Sequence, residues 1–256
     1  MYAVICGGSK GIGRAVAEAL AFRKYNLMLN SRNKEDLLKT AEEIRKKYNV
    51  EVKTFTGTLC EKAVCEGLIE EAFDKFGRID ALLVNAGGPI PGELEDVKDE
   101  DWQHAFEITL MPAVRLIRTV LPFMRNQHYG RVVAIESISV KQPVDNLILS
   151  NSIRPAVVGL FKTMALREAE NNITFNVVGP GFTNTKRLES LFEARAKASG
   201  KSVEEITQNA KDSIPMGRFA RTGEIGELAA FLMTKDSMYV TGQVILADGG
   251  AYSATW

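Results

Sequence analysis

The chain is poor in the residues that mark secreted, metal-binding and nucleic-acid-binding proteins. Its 256 residues include only three cysteines, Cys6, Cys60 and Cys65, and no Cys-x-x-Cys pair. A sparse, odd count argues against a disulfide framework and for a reducing compartment, so a cytoplasmic location is expected. The only histidines, His104 and His128, stand at no metal-ligand spacing from a cysteine or from each other, and no metal site is expected. Net charge is absent too: 32 Lys+Arg face 32 Asp+Glu. That balance removes the bulk attraction on which binding to nucleic acid or an anionic membrane would draw. No run approaches the ~18 apolar residues of a membrane span. The N-terminal MYAVICGG has no basic flank and no long apolar stretch, so no signal peptide is expected. No Pro/Gly/Ser-rich linker divides the chain and no internal repeat is visible, which favours one domain.

What is present is a regular alternation. Short apolar runs (YAVIC, NLMLN, EVKTF, IDALLVN, GRVVAIES, ITFNVV, QVILA) are separated by longer segments with helical spacing, such as Ile12, Val16, Ala19 and Leu20. Near-continuous apolar strands joined by helices predict an α/β fold, with a parallel sheet covered on both faces. Seven such strands fit a Rossmann-type doubly wound sheet in a single domain, residues 1–256. The polar stretch 183–222 interrupts the alternation. Its helical patterns, RLESLFEARAKA among them, suit a lid over the carboxyl edge of the sheet.

The first strand runs into CGGSKGIG, with glycines at 7, 8, 11 and 13, and an amphipathic helix follows. A glycine-rich turn between strand and helix lets the backbone approach a pyrophosphate, and the helix N-terminus offers unpaired N–H donors. The second strand ends in LNSRN, with Ser31 and Arg32 where a carboxylate would hold the ribose hydroxyl of NAD. Together with Lys10 in the first loop, these residues suit a 2′-phosphate, so NADP is favoured over NAD.

The chain resembles a short-chain dehydrogenase/reductase, near the 3-oxoacyl-carrier-protein reductase branch, over nearly its whole length. The resemblance lies in GGSKGIG, in NAGG at Asn85 to Gly88, in NVVGPGFTNT, and in the ending GRFARTGEIGELAAFLMTKDSMYVTGQVILADGG. It implies a coenzyme cradle made of Gly7, Ser9, Lys10, Gly11, Ile12, Gly13, Ser31, Arg32, Leu59, Asn85, Ala86, Gly87, Pro180, Gly181, Thr183 and Thr185. It also implies a small carbonyl or alcohol substrate and a homodimer or homotetramer built on the helical segments 100–125 and 152–170. Two positions depart from the pattern: Cys6 replaces a threonine, and Thr58 stands where an aspartate meets the adenine.

The family works through an asparagine, a serine, and a tyrosine with a lysine four residues later. Aligned on GRVVAIESIS, the serine is Ser137, but the tyrosine and lysine positions hold Ser150 and Arg154, and the asparagine position holds Thr109. A serine hydroxyl is far less acidic than a phenol near ~10, and arginine does not give up its proton. Arg154 can still hold a ribose, a carboxylate or a developing oxyanion. Lys141 on the following loop, Ser150, or an ordered water are the alternative proton carriers. Glu136 neighbours Ser137, and strand alternation would turn it to the opposite face, towards a cation elsewhere. Pro155 suggests a helix starting near Ser152, which would take Ser150 and Arg154 off a common face. Two readings follow: an oxidoreductase with a non-standard acid/base site using Ser137, Ser150, Arg154 and Lys141, or an NADP(H)-binding sensor or assembly protein without turnover.

Overall fold

Within each strand, alternate side chains sort to two faces. Val4, Leu82, Val84, Val132, Ala134 and Val177 join one core cluster; Ala3, Ile5, Ala81, Leu83, Val133 and Val178 join the other. The structure, a computed structural model, describes residues 1–255 save the side chain of Ala198. In it β1 (Tyr2–Ile5), β2 (Asn26–Ser31), β3 (Val52–Thr56), β4 (Ala81–Val84), β5 (Gly130–Ile135), β6 (Ile173–Pro180) and β7 (Val244–Ala247) form one sheet. The order is β3-β2-β1-β4-β5-β6-β7, and every pair is parallel. The expected seven-stranded doubly wound fold is therefore what forms.

One face is covered by α1 (Gly11–Phe22), α2 (Lys34–Tyr48) and α8 (Thr222–Leu232). The other is covered by α3 (Lys62–Phe76), α4 (Asp99–Asn126) and α5 (Ile148–Glu168). Phe161 of α5 meets Phe175 of β6 edge-on, with ring centroids 5.7 Å apart. Burying each ring contributes roughly 2–3 kcal/mol, and the contact fixes α5 against the sheet. The strand order reverses between β1 and β4, which opens a crevice at their carboxyl ends.

The start of α5 corrects an expectation. The helix begins at Ile148, not near Ser152, and Pro155 lies inside it. Contacts upstream hold the turn before the proline. Ile148 N donates to Gly92 O, and Asn151 N to Leu147 O. The Asn151 side chain accepts from Val144 N and donates to Val144 O. These bonds offset the donor that proline removes.

Residues 183–222 contain α6 (Lys186–Ser199) and α7 (Val203–Asp212), which pack through Phe192, Ile214 and Phe219. Among the described residues, no helix is long and apolar enough to cross a membrane, and no cluster of three or more potential metal ligands occurs.

Candidate functional site

The glycine turn is locked by its surroundings. Gly7 has φ +65°, and a Cβ there would stand 2.7 Å from Asn85 Nδ2. A Cβ on Gly13 would run into the Gly7 carbonyl oxygen. Only glycine fits either position. Asn85, at the end of β4, donates to Cys6 O at 3.2 Å and so ties the two strands that flank the crevice. Thr40 of α2 donates to Ser9 O at 2.9 Å. Helix α1 opens at Gly11 with no side-chain cap and no acid in its first turn, so its N–H groups remain available to an anion.

Of the other predicted cradle residues, Thr185 approaches this turn. Thr185 caps α6, accepting from Leu188 N, and its methyl group lies 3.7 Å from where a Gly11 Cβ would stand. Thr183 donates to Gly181 O at 3.1 Å, and Gly181 N to Ala247 O. At the far end, Ser9 and Ser31 hydroxyls share a hydrogen bond of 2.8 Å. Arg32 is exposed and makes no ion pair among the described residues. Lys10 is already paired with Asp36, 2.5 Å away on the first turn of α2. Such a solvated pair is worth little, so a phosphate can compete for the ammonium. Leu59 is half-buried against the core beneath the same edge. These residues fit a dinucleotide bearing a 2′-phosphate.

At the catalytic position of the family pattern, the structure brings Ser150 and Arg154 onto one face of α5. Arg154 Nε donates to Ser150 Oγ at 3.3 Å, and both residues are buried, 8% and 5% exposed. The expectation that they would part is corrected. So is the placement of Glu136: its carboxylate accepts from Arg154 Nη1 at 2.6 Å and is itself buried. β5 ends at Ile135, so strand alternation no longer governs residue 136. Burial raises the Glu136 carboxyl's pKa above the ordinary range, and Arg154 offsets part of that rise.

Ser137 begins a short 3-10 turn at the end of β5 and accepts from Ser139 N at 3.1 Å. That leaves its hydroxyl proton for another acceptor. Lys141 is exposed, and its ammonium lies 5.7 Å from the centre of the Tyr252 ring. Thr109 is buried, and its hydroxyl has no hydrogen-bond partner among the described residues. Arg187, at the start of α6, was not among the predicted site residues. It donates to the carbonyls of Gly88 and Pro89, each at 3.2 Å. Nothing in its local sequence distinguishes it from a solvated helix residue. A cleft of about 830 Å³ opens beside Thr185, between α6, α7 and the segment around Arg218, and does not reach Ser150 or Arg154.

A family model described as Enoyl-(Acyl carrier protein) reductase matches residues 7–252. The chain belongs to this reductase family, within the short-chain dehydrogenases/reductases. The NADPH-dependent reductase BacG of Bacillus subtilis is 29% identical over 250 residues, spanning 97% of this chain and 96% of that protein. The 3-oxoacyl-[acyl-carrier-protein] reductase FabG of Thermotoga maritima is 30% identical over 250 residues, 96% of each. The crystal structure of YwfH, an NADPH-dependent reductase involved in bacilysin biosynthesis, superposes with a TM-score of 0.94 at 28% identity, covering 99% of this chain and 98% of that one.

Proposed function

We propose that the chain is an NADPH-dependent reductase of small carbonyl compounds, able to run the reverse alcohol oxidation, in which a fixed ion pair replaces the tyrosine and lysine of its family. It would then belong to a subgroup of short-chain dehydrogenases/reductases without that pair. The observation that carries the proposal is the Ser150–Arg154–Glu136 chain, in a fold whose first turn admits only glycine at Gly7 and Gly13.

NADPH bound in the cradle supplies the hydride. Gly7, Ser9, Gly11, Ile12 and Gly13 would receive its pyrophosphate, and Lys10, Ser31 and Arg32 its 2′-phosphate. Leu59, Asn85, Ala86 and Gly87 would face the adenosine side, and Pro180, Gly181, Thr183 and Thr185 the carboxamide. NAD would bind more weakly, for want of a carboxylate at the end of β2. Ser137 and Ser150 both use their oxygens to accept internal bonds, so each hydroxyl can donate to a substrate oxygen. Arg154 stays protonated and polarises that oxygen, which is electrostatic stabilisation, not proton transfer. A water held by the two serines brings the proton. Lys141 stands second as donor, because its ammonium is exposed over the Tyr252 ring.

The lid role of residues 183–222 belongs to the same proposal, as does a homodimer or homotetramer built on α4 and α5. Leu166 of α5 is 75% exposed and Phe106 of α4 36%, which a partner subunit would cover. The second reading, coenzyme binding without turnover, draws on the unpartnered Thr109 hydroxyl at the family's asparagine position.

The test is a fluorescence titration with NADPH and NADH, followed by NADPH oxidation with a panel of ketones and aldehydes. Tighter binding of NADPH with turnover of at least one carbonyl supports the first reading. Tight binding with no turnover across the panel supports the second.

A further inference from the structure

Two guanidiniums meet over Gly88. The Nη2 atoms of Arg154 and Arg187 each lie 2.5 Å from the point where a Gly88 Cβ would stand, so they are at most twice that distance apart. A side chain at residue 88 would have to push both guanidinium tips aside. Glu136 pairs with Arg154, whereas Arg187 is in no ion pair among the described residues and bonds to the backbone carbonyls of Gly88 and Pro89. Arg187 as a whole is exposed, as is its bond to Gly88 O, whereas its bond to Pro89 O is half-buried. Its pKa is pulled below the ordinary arginine value, first by burial and then by the charge of Arg154. Like charges held this close, with a carboxylate paired to Arg154 alone, are an arrangement that a further anion would relieve.

We propose that Arg154 and Arg187 form a carboxylate-binding fork and that the substrate is a keto acid, with its carboxylate next to the carbonyl that is reduced. The inference rests on the reductase reading and names its substrate class. Arg154 joins the two functions, because it bonds to Ser150 at the reacting end and faces Arg187 at the other. A carboxylate has two oxygens that match planar N–H forks. Arg187 also belongs to α6 and already ties that helix to the loop after β4, so a bound carboxylate would sit where the two meet. The same chemistry could be claimed by the coenzyme's own pyrophosphate, and the experiment separates the two.

The probes are α-ketocaproate and its methyl ester, which differ in the one charge. In the unaltered enzyme kcat/KM should favour the acid, and Arg187→Gln should cut that preference about ten- to a hundredfold. A preference that is absent, or unmoved by the substitution, overturns the proposal while leaving the reductase reading intact if either probe is turned over. A loss of NADPH affinity in Arg187→Gln, measured without substrate and equal to the loss in kcat/KM for both probes, assigns the fork to the pyrophosphate and also overturns it. If neither probe turns over, binding of α-ketocaproate to the NADPH-loaded protein is followed by melting temperature. A shift with the acid alone, lost in Arg187→Gln, supports the fork and counts against the reductase reading; no shift overturns the fork.

Discussion

Replacing Arg154 by leucine removes one half of a buried pair. The Arg154 and Glu136 side chains are only 10% and 4% exposed and meet at 2.6 Å. Removing one partner of such a pair destabilises a protein by about 3–5 kcal/mol, because the other charge stays buried alone. For a chain of this size each kcal/mol shifts the melting temperature by about 2–4 °C, so Arg154→Leu should melt roughly 6–20 °C lower at neutral pH. The pH dependence has a definite sign. Without Arg154, only burial acts on the Glu136 carboxyl, which raises its folded-state pKa further above the unfolded value. A group with a raised folded pKa gives stability that is present below the unfolded pKa and is lost as pH rises through the folded one. The deficit of Arg154→Leu should therefore be small near pH ~4.5 and grow towards pH ~8. The control is Glu136→Met with Arg154→Leu, an apolar pair of similar bulk, which should recover most of the loss. Melting curves of the three proteins across that range decide the matter. A single variant that loses less than ~1 kcal/mol with no pH slope, or a double variant no more stable than the single, would refute the buried-pair account.

Three other outcomes are expected. If Arg32 holds the 2′-phosphate as proposed, Arg32→Ala should weaken NADPH about tenfold and NADH hardly at all by fluorescence titration, since its guanidinium is exposed and makes no ion pair among the described residues. Ser150→Tyr with Arg154→Lys should raise the reduction of simple 3-oxoacyl thioesters above the parent's rate, by about 10²-fold if the phenol meets the substrate oxygen; an unchanged rate in a folded protein counts against the assigned geometry. The pair that joins the ends of α4 and α5, Arg125 and Glu168, should govern acid stability. Arg125 holds the Glu168 carboxyl below its ordinary value of 4.5. That stabilisation is present above the unfolded pKa and is lost as pH falls through the folded one. Arg125→Gln should cost about 1–2 kcal/mol at pH 7, less than a fully buried pair because Arg125 is itself 44% exposed, and nothing at pH ~2.

The sheet and the glycine turn were legible because each depends on local pattern. Apolar runs such as ALLV at β4 have one way to be buried on both faces, and the backbone at Gly7 and Gly13 excludes a Cβ whatever the rest of the chain does. The catalytic end was less legible because tertiary contacts decide it. Pro155 would end a helix judged on its own, yet Gly92 O and the Asn151 side chain hold the turn that precedes it. Glu136 escapes the alternation rule because β5 ends one residue before it. Arg187 carries no sequence signal because its contacts are with a loop 99 residues away in sequence.

Glu136 and Arg187 are linked through the charge of Arg154. A lysine in a buried place can shed its proton, and so it can adjust to its surroundings or relay protons; an arginine cannot. An arginine only 8% exposed therefore needs a fixed anion, and Glu136 is the carboxylate that meets it. Once that pair forms, position 154 serves as a permanent cation. In the proposed reductase, chemistry at this position would draw its advantage from a constant field across Ser150 and the loop at Gly88, with the proton arriving through hydroxyls and water. A substrate with a negative charge of its own suits such a field better than a neutral ketone does, because its binding energy can be spent on orienting the carbonyl.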